Sequence, residues 1–291
     1  MSGNKEQSSI FTPILISASL ILLISFAIRS TFGLFQIPIA EQFVWARSEF
    51  SMAIAIQNLA WGVATPIFSA FAEKFGDRKA ITTGLLLYAL GIFISSTATS
   101  PEAHQFLNII IGFGIAGSGF GPILSIVGRS TSPEKRSLAL GVTTAAGSAG
   151  QVIGPPFAAY LLGIMDWSSI FVIFAIISLL TIILVPILKT NSTPTKNEVK
   201  EKLSDALIEA LKDPTYSMLF LGFFSCGFQL AFITAHFPAF IAEASSPIPQ
   251  GSLINLVCNS TTSLGALSIA IIGVFNIIGA ITAGALGKNY T

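Results

Sequence analysis

Arg29 stands inside the first long apolar stretch of the chain, Ile24-Ser-Phe-Ala-Ile-Arg29-Ser-Thr-Phe-Gly-Leu-Phe35, and is the only formally charged residue within any of eight such stretches. A guanidinium in hydrocarbon costs at least a few kcal/mol, so it is retained where it has a partner or a task. Its chemistry is recognition of anions, because a fixed positive charge and a planar set of N–H donors match carboxylate oxygens. The competing reading is an arginine that snorkels to the interface or bonds neighbouring carbonyls.

Other polar residues recur at helical spacing on the apolar stretches. Arg29, Gly33 and Gln36 fall at i, i+4 and i+7, and Asn58, Trp61 and Thr65 repeat that spacing. Ser148 and Gln151 lie at i and i+3, and Cys226, Gln229, Ile233 and His236 share a further face. With Asn276, these give a candidate anion site of Arg29, Gln36, Asn58, Trp61, Gln151, His236 and Asn276. Plain hydrogen bonding between helices is the alternative for the amides. His104, beside Pro101 and Glu102, reads as interfacial. His236 has no carboxylate neighbour in any stretch, so an enzyme is not expected. Cys226 and Cys258 offer neither metal spacing nor an expected disulfide, and no cofactor is implied.

Helices must position these residues. The chain is 52% hydrophobic and 10% charged, and about 20 apolar residues cross a bilayer as helix. Eight spans are predicted, over 11–40, 50–72, 80–100, 105–128, 137–163, 168–188, 214–242 and 264–287. The first is too long for a signal peptide and lacks a cleavage site. Thirteen of the fifteen lysines and arginines fall on one side of this arrangement, and Arg47 alone on the other. The positive-inside rule then makes the N-terminus cytoplasmic, in the cell (inner) membrane. The bilayer is an expected partner and nucleic acid is not. Glycosylation triplets at Asn191, Asn259 and Asn289 are weak signals, and Asn191 would face the cytoplasm.

Six spans in 1–188 are followed by a polar linker, 189–213, whose piece from Leu203 has helical spacing. The chain then restarts. Shifted by 202, Phe35, Ile39, Ala40 and Glu41 meet Phe237, Ile241, Ala242 and Glu243. Such parallel repeats build several transporter folds. The segment 214–291 therefore reads as the first two helices of a second bundle, and a chain truncated before four further spans is expected. A true eight-span protein is the alternative.

The loop after span two, Ser69-Ala-Phe-Ala-Glu73-Lys74-Phe-Gly76-Asp77-Arg78-Lys79, resembles the cytoplasmic signature of the major facilitator superfamily, with Ser69 where that signature has Gly and Glu73 where it has Asp. The resemblance implies an all-α, multi-pass membrane protein with a conformational latch. Glu73, Lys74, Gly76, Arg78, Lys79 and Arg136 would form it, with Glu73, Arg78 or Arg136 in ion-pair reach of one another or of helix ends. Gly141, Gly150, Gly154 and Pro155 in span five resemble the superfamily's glycine-rich antiporter motif, and close helix packing explains the same spacing.

Within the superfamily, Arg29-Ser-Thr-Phe-Gly-Leu-Phe35, Trp45-Ala-Arg-Ser-Glu49 and Gly147-Ser-Ala-Gly-Gln151 resemble monocarboxylate porters and oxalate–formate-type relatives. That resemblance implies secondary active transport of a small organic anion, a monocarboxylate, by alternating access, with a coupled proton or an exchanged anion. The Asp and Arg that animal-type porters carry in helix eight match Asn276 and Ala280, which leaves His236 as the intramembrane side chain titrating near neutrality. The rival functions are an efflux antiporter for apolar compounds and a non-transporting truncated remnant.

Overall fold

The computed structural model describes residues 10–188, 203–245 and 260–290, and among them every regular element is helical. The triplets at Asn191 and Asn259, the first part of the linker and Cys258 lie outside the described residues.

Helix α1 (Pro13–Arg29) starts at Thr12, whose hydroxyl accepts the Leu15 N–H at 3.2 Å, with Pro13 in the first turn where a missing N–H costs nothing. It stops at Arg29. The Ser30 and Thr31 hydroxyls donate to the Ala27 and Ile28 carbonyls, and the chain tightens into a 3-10 turn, Phe32–Phe35, before α2 (Gln36–Phe43). Span one is therefore two helices around a tight turn rather than one continuous helix. Helix α3 (Arg47–Phe75) and α4 (Asp77–Ser95) are joined by the single residue Gly76 at φ 95°. A side chain at that φ would be strained, so the signature's glycine is a requirement of the turn.

Span four is likewise broken, into α5 (Pro101–Ser118) and α6 (Phe120–Ser130), at the extended Gly119. Helix α7 (Pro133–Leu162) follows, then α8 (Trp167–Thr181) with a 3-10 end at Ile182–Ile187 around Pro186. Asp166 caps α8 in the connecting loop. Hydrogen bonds from Ser168 and Ser169 hold its carboxyl below the usual range, at about 2, so the cap stays charged at any physiological pH. Beyond the linker lie α9 (Leu203–Lys212), α10 (Pro214–Ala244) and α11 (Thr261–Tyr290).

Seven helical segments among the described residues are long and apolar enough to cross a membrane. Helix α7, the predicted fifth span, is not among them although it runs for 30 residues. Its Gly, Ser, Thr and Gln content dilutes the hydropathy, and the reason is its position between α1 and α11.

Lipid is as apolar as leucine, so helices in a bilayer associate through close packing rather than through apolar burial, and small residues mark the contacts. Gly150 and Gly154 face the backbone of Leu23 and Ala27 in α1, and Gly141 faces Ala280 and Gly284 in α11. Gly112, Gly114 and Gly117 bring α5 against α3 and α4 in the same way. Inside the first bundle the core holds Phe35 edge-on to Phe171 with centroids 4.9 Å apart. Helices α10 and α11 pack on that bundle through its 3-10 turn and α7. Much of α10 is nonetheless bare, with Phe223 77% exposed.

Candidate functional site

Arg29 is the last residue of α1, at the carbonyl-rich end of a helix where a cation is favoured. Its side chain is buried, at 4% exposure. Nη2 donates to Asn58 Oδ1 at 2.8 Å, and the guanidinium carbon lies 4.7 Å from the centre of the Trp61 ring and 5.7 Å from that of Phe26. Asn58 is itself fixed, its Nδ2 donating to the Ile54 carbonyl at 2.8 Å. Nε and Nη1 of Arg29 are buried without a hydrogen-bond partner. Arg47 pairs with Glu243 and Arg129 with Asp77, and neither pair includes Arg29.

The guanidinium borders a narrow cleft between the first bundle and α10. Phe32, Gly33, Ile54, Gln57 and Asn58 form one wall, and Ala231 and Thr234 of α10 the other. Gly33 lets α10 approach, since its α-carbon faces the Thr234 and Ala235 carbonyls and the Pro238 ring. Gln57 Nε2 donates to Asn108 Oδ1 at 2.9 Å, and Asn108 Nδ2 to the His104 carbonyl at 2.8 Å, so the cleft wall is tied to α5 by buried amides.

Of the predicted site residues, Arg29, Asn58 and Trp61 come together. Gln36 does not join them, because the 3-10 turn breaks the helical register after Thr31. Its Nε2 instead donates to Ser51 Oγ at 2.5 Å and the Arg47 carbonyl at 3.3 Å. Gln151 and Asn276 bond each other at 3.2 Å, across α7 and α11. His236 packs at a tilt against Phe232, with centroids 5.0 Å apart, and is not in the cleft wall. Gln57 and Thr234 were not singled out by spacing. The signal for Thr234 was the small pair Ala231 and Thr234 at i and i+3.

The loop between α3 and α4 makes two sets of charged contacts. Arg129 Nη2 pairs with Asp77 Oδ1 at 2.6 Å, and Arg78 donates from Nε to the Leu188 carbonyl at 3.1 Å and from Nη2 to that of Pro186 at 2.5 Å. Arg78 thus reaches a helix end. Glu73, Lys74, Lys79 and Arg136 are exposed and make no ion pair among the described residues, and Lys74 lies over the Phe75 ring. Arg129 is 41% exposed but Asp77 only 10%, so Asp77→Asn should cost about 1–3 kcal/mol in a melting series, more than an exposed pair would.

Gly141, Gly150 and Gly154 are contact points between helices, and Pro155 leaves the Gln151 carbonyl without its helical N–H.

His104, read as interfacial from its place beside Pro101 and Glu102, is 1% exposed and packed among Trp45, Phe50 and Trp167, with ring centroids within 6.1 Å.

The geometry has counterparts among known proteins. The chain is 31% identical over 159 residues to Monocarboxylate transporter 13 of Bos taurus, covering 53% of this chain and 36% of that protein. It is 25% identical over 230 residues to Multidrug resistance protein MdtH of Photorhabdus laumondii, covering 76% of this chain and 54% of that one. It thus spans about a third to a half of the length of these curated relatives. The crystal structure of a bacterial homologue of the human lysosomal transporter Spinster, inward-facing and unoccupied, matches with a TM-score of 0.59 at 16% identity, over 92% of this chain and 73% of that one, which is a likeness of fold. The family model for the Major Facilitator Superfamily matches residues 18–290, and the chain belongs to that superfamily.

Proposed function

We propose that this protein takes part in secondary active transport of small organic anions, with monocarboxylates as the substrate class and Arg29 as the residue that holds the carboxylate. Membership of the superfamily places it among transporters rather than enzymes. The observation that carries the anion reading is the state of Arg29: buried, with no carboxylate partner, and with Nε and Nη1 unpaired. An incoming carboxylate would satisfy those donors and neutralise the charge at once, which is where a charge-assisted pair is strongest. Trp61 and Phe32 would bound the apolar part of the acid.

The cleft has only about 10 Å³ for the centre of a water molecule, room for about one water. An acid can enter only when α10 moves away from Gly33, which fits alternating access by rocking of 214–291 against 1–188. The basic loops support a cytoplasmic N-terminus, and a coupled proton or an exchanged anion would drive the cycle. The name of the bovine relative supports the monocarboxylate class. The similarity to a multidrug resistance protein supports efflux of apolar compounds, yet the glycines that suggested exchange are occupied by contacts with α1 and α11.

The test is uptake of radiolabelled lactate, pyruvate and longer acids into proteoliposomes. Saturable uptake that competing acids suppress is expected. Saturable transport of a cation or neutral sugar, with no acid carried, would overturn the proposal.

A further inference from the structure

The geometry points to Asn58 as a specificity-determining positioning residue, whose neutrality keeps the charge of Arg29 available for an anionic substrate. This rests on the anion reading of the cleft and reassigns Asn58 from substrate ligand to partner of the arginine.

The amide of Asn58 is oriented from behind. Its Nδ2 is used by the Ile54 carbonyl one turn earlier on α3, which leaves Oδ1 facing Arg29 Nη2 at 2.8 Å. One N–H of the guanidinium is thereby held, and the plane of the group is set beside the Trp61 ring, 4.7 Å away. What the amide does not supply is charge. A carboxylate at the same position would have nearly the same shape and would make a strong pair with the guanidinium in a site shielded from water. Among the described residues the cleft wall contains no acid, and the polar residues beside Arg29 are Gln57, Asn58 and Thr234. Gln57 and Thr234 are committed elsewhere, to Asn108 and to the Leu230 carbonyl. The wall is thus neutral apart from Arg29, and the site carries one uncompensated positive charge.

Asn58→Asp makes this testable, because the two roles predict opposite outcomes. With a carboxylate in place the arginine is neutralised internally, and an entering acid would bring a second negative charge into a low-dielectric site that can compensate only one. The variant gives up the Nδ2 bond to the Ile54 carbonyl, but pairing a buried charge outweighs one neutral hydrogen bond, so it should melt a few degrees higher than the parent. It should also lose stabilisation by lactate, pyruvate or benzoate, with the half-effective concentration raised on the order of 100-fold.

The experiment is thermal melting of the purified 291-residue chain in detergent, for the parent, Asn58→Asp and Arg29→Gln, with each sodium salt and with sodium chloride as control. If the parent responds to the acids, Arg29→Gln does not, and Asn58→Asp is both more stable and unresponsive, the proposal stands. If Asn58→Asp responds like the parent, or melts lower than it or does not fold, the proposal is overturned while the anion reading survives. If Arg29→Gln still responds, or the parent responds to none of the acids, the anion reading itself fails and the proposal falls with it.

Discussion

Arg29→Gln is expected to make the protein more stable and at the same time insensitive to organic anions. The two signs have one cause. Arg29 is buried, with a single hydrogen bond to a neutral amide and with Nε and Nη1 unpaired. A charged residue held at membrane depth costs about 2.5–3.5 kcal/mol on insertion scales, and each unsatisfied buried donor adds to the penalty. Contact with Trp61 and Phe26 returns part of that, on the order of 1–2 kcal/mol for a desolvated cation over an aromatic face. Glutamine removes the charge, so the variant should gain on the order of 2 kcal/mol in a denaturation series. Binding moves the other way: loss of a charge-assisted contact to a carboxylate corresponds to about 100-fold in affinity. Arg29→Lys should fall between, since an ammonium keeps the charge but neither spans to Asn58 in the same plane nor stacks on Trp61 as well. A destabilised Arg29→Gln protein that still responds to acids would make the arginine a structural group.

Much of this was legible in the residues, and the misses have identifiable physics. Spans were readable because hydropathy over about 20 residues is a strong local signal. Arg29, Asn58 and Trp61 were readable as a group because α1 and α3 are regular where those residues lie. Gln36 was misplaced because i+7 spacing assumes an unbroken helix, and the 3-10 turn at Phe32–Phe35 rotates everything after it. On α10 the face through Cys226, Gln229 and His236 was chosen for polarity. The face that meets the cleft instead holds Ala231 and Thr234, because close approach to Gly33 selects small side chains over polar ones. The charge cluster between α3 and α4 pairs Asp77 with Arg129 and ties Arg78 to carbonyls at the end of span six. Neither partner can be read from a loop whose contacts lie 52 and 110 residues away. Helix α7, readable as the fifth span, is less apolar than the others because the small residues that lower its hydropathy are what let it sit between α1 and α11.

Gly154→Val should be the most damaging single substitution in the first bundle, and its effect should reach the anion site. A β-carbon at Gly154 would overlap the backbone of Ala27, so α1 and α7 must separate before any larger group fits. Overpacking of this kind costs about 1–3 kcal/mol where side chains can shift, and backbone against backbone leaves nothing soft to yield, so about 3 kcal/mol is expected. Ala27 lies two residues before Arg29 on the same helix. A displacement of α1 by about 1 Å would stretch the 2.8 Å bond to Asn58 beyond hydrogen-bond range, and the response to acids should disappear with it. Gly62→Ala and Gly222→Ala are the controls, because no atom lies within 4 Å of an added β-carbon at either position. Both should be neutral or stabilising by up to about 1 kcal/mol, the helix preference of alanine over glycine. If Gly154→Val instead melted like the parent while altering only exchange between internal and external acid, the span-five glycines would belong to the transport cycle rather than to helix packing. The efflux-antiporter reading would then regain the support that close packing now takes from it.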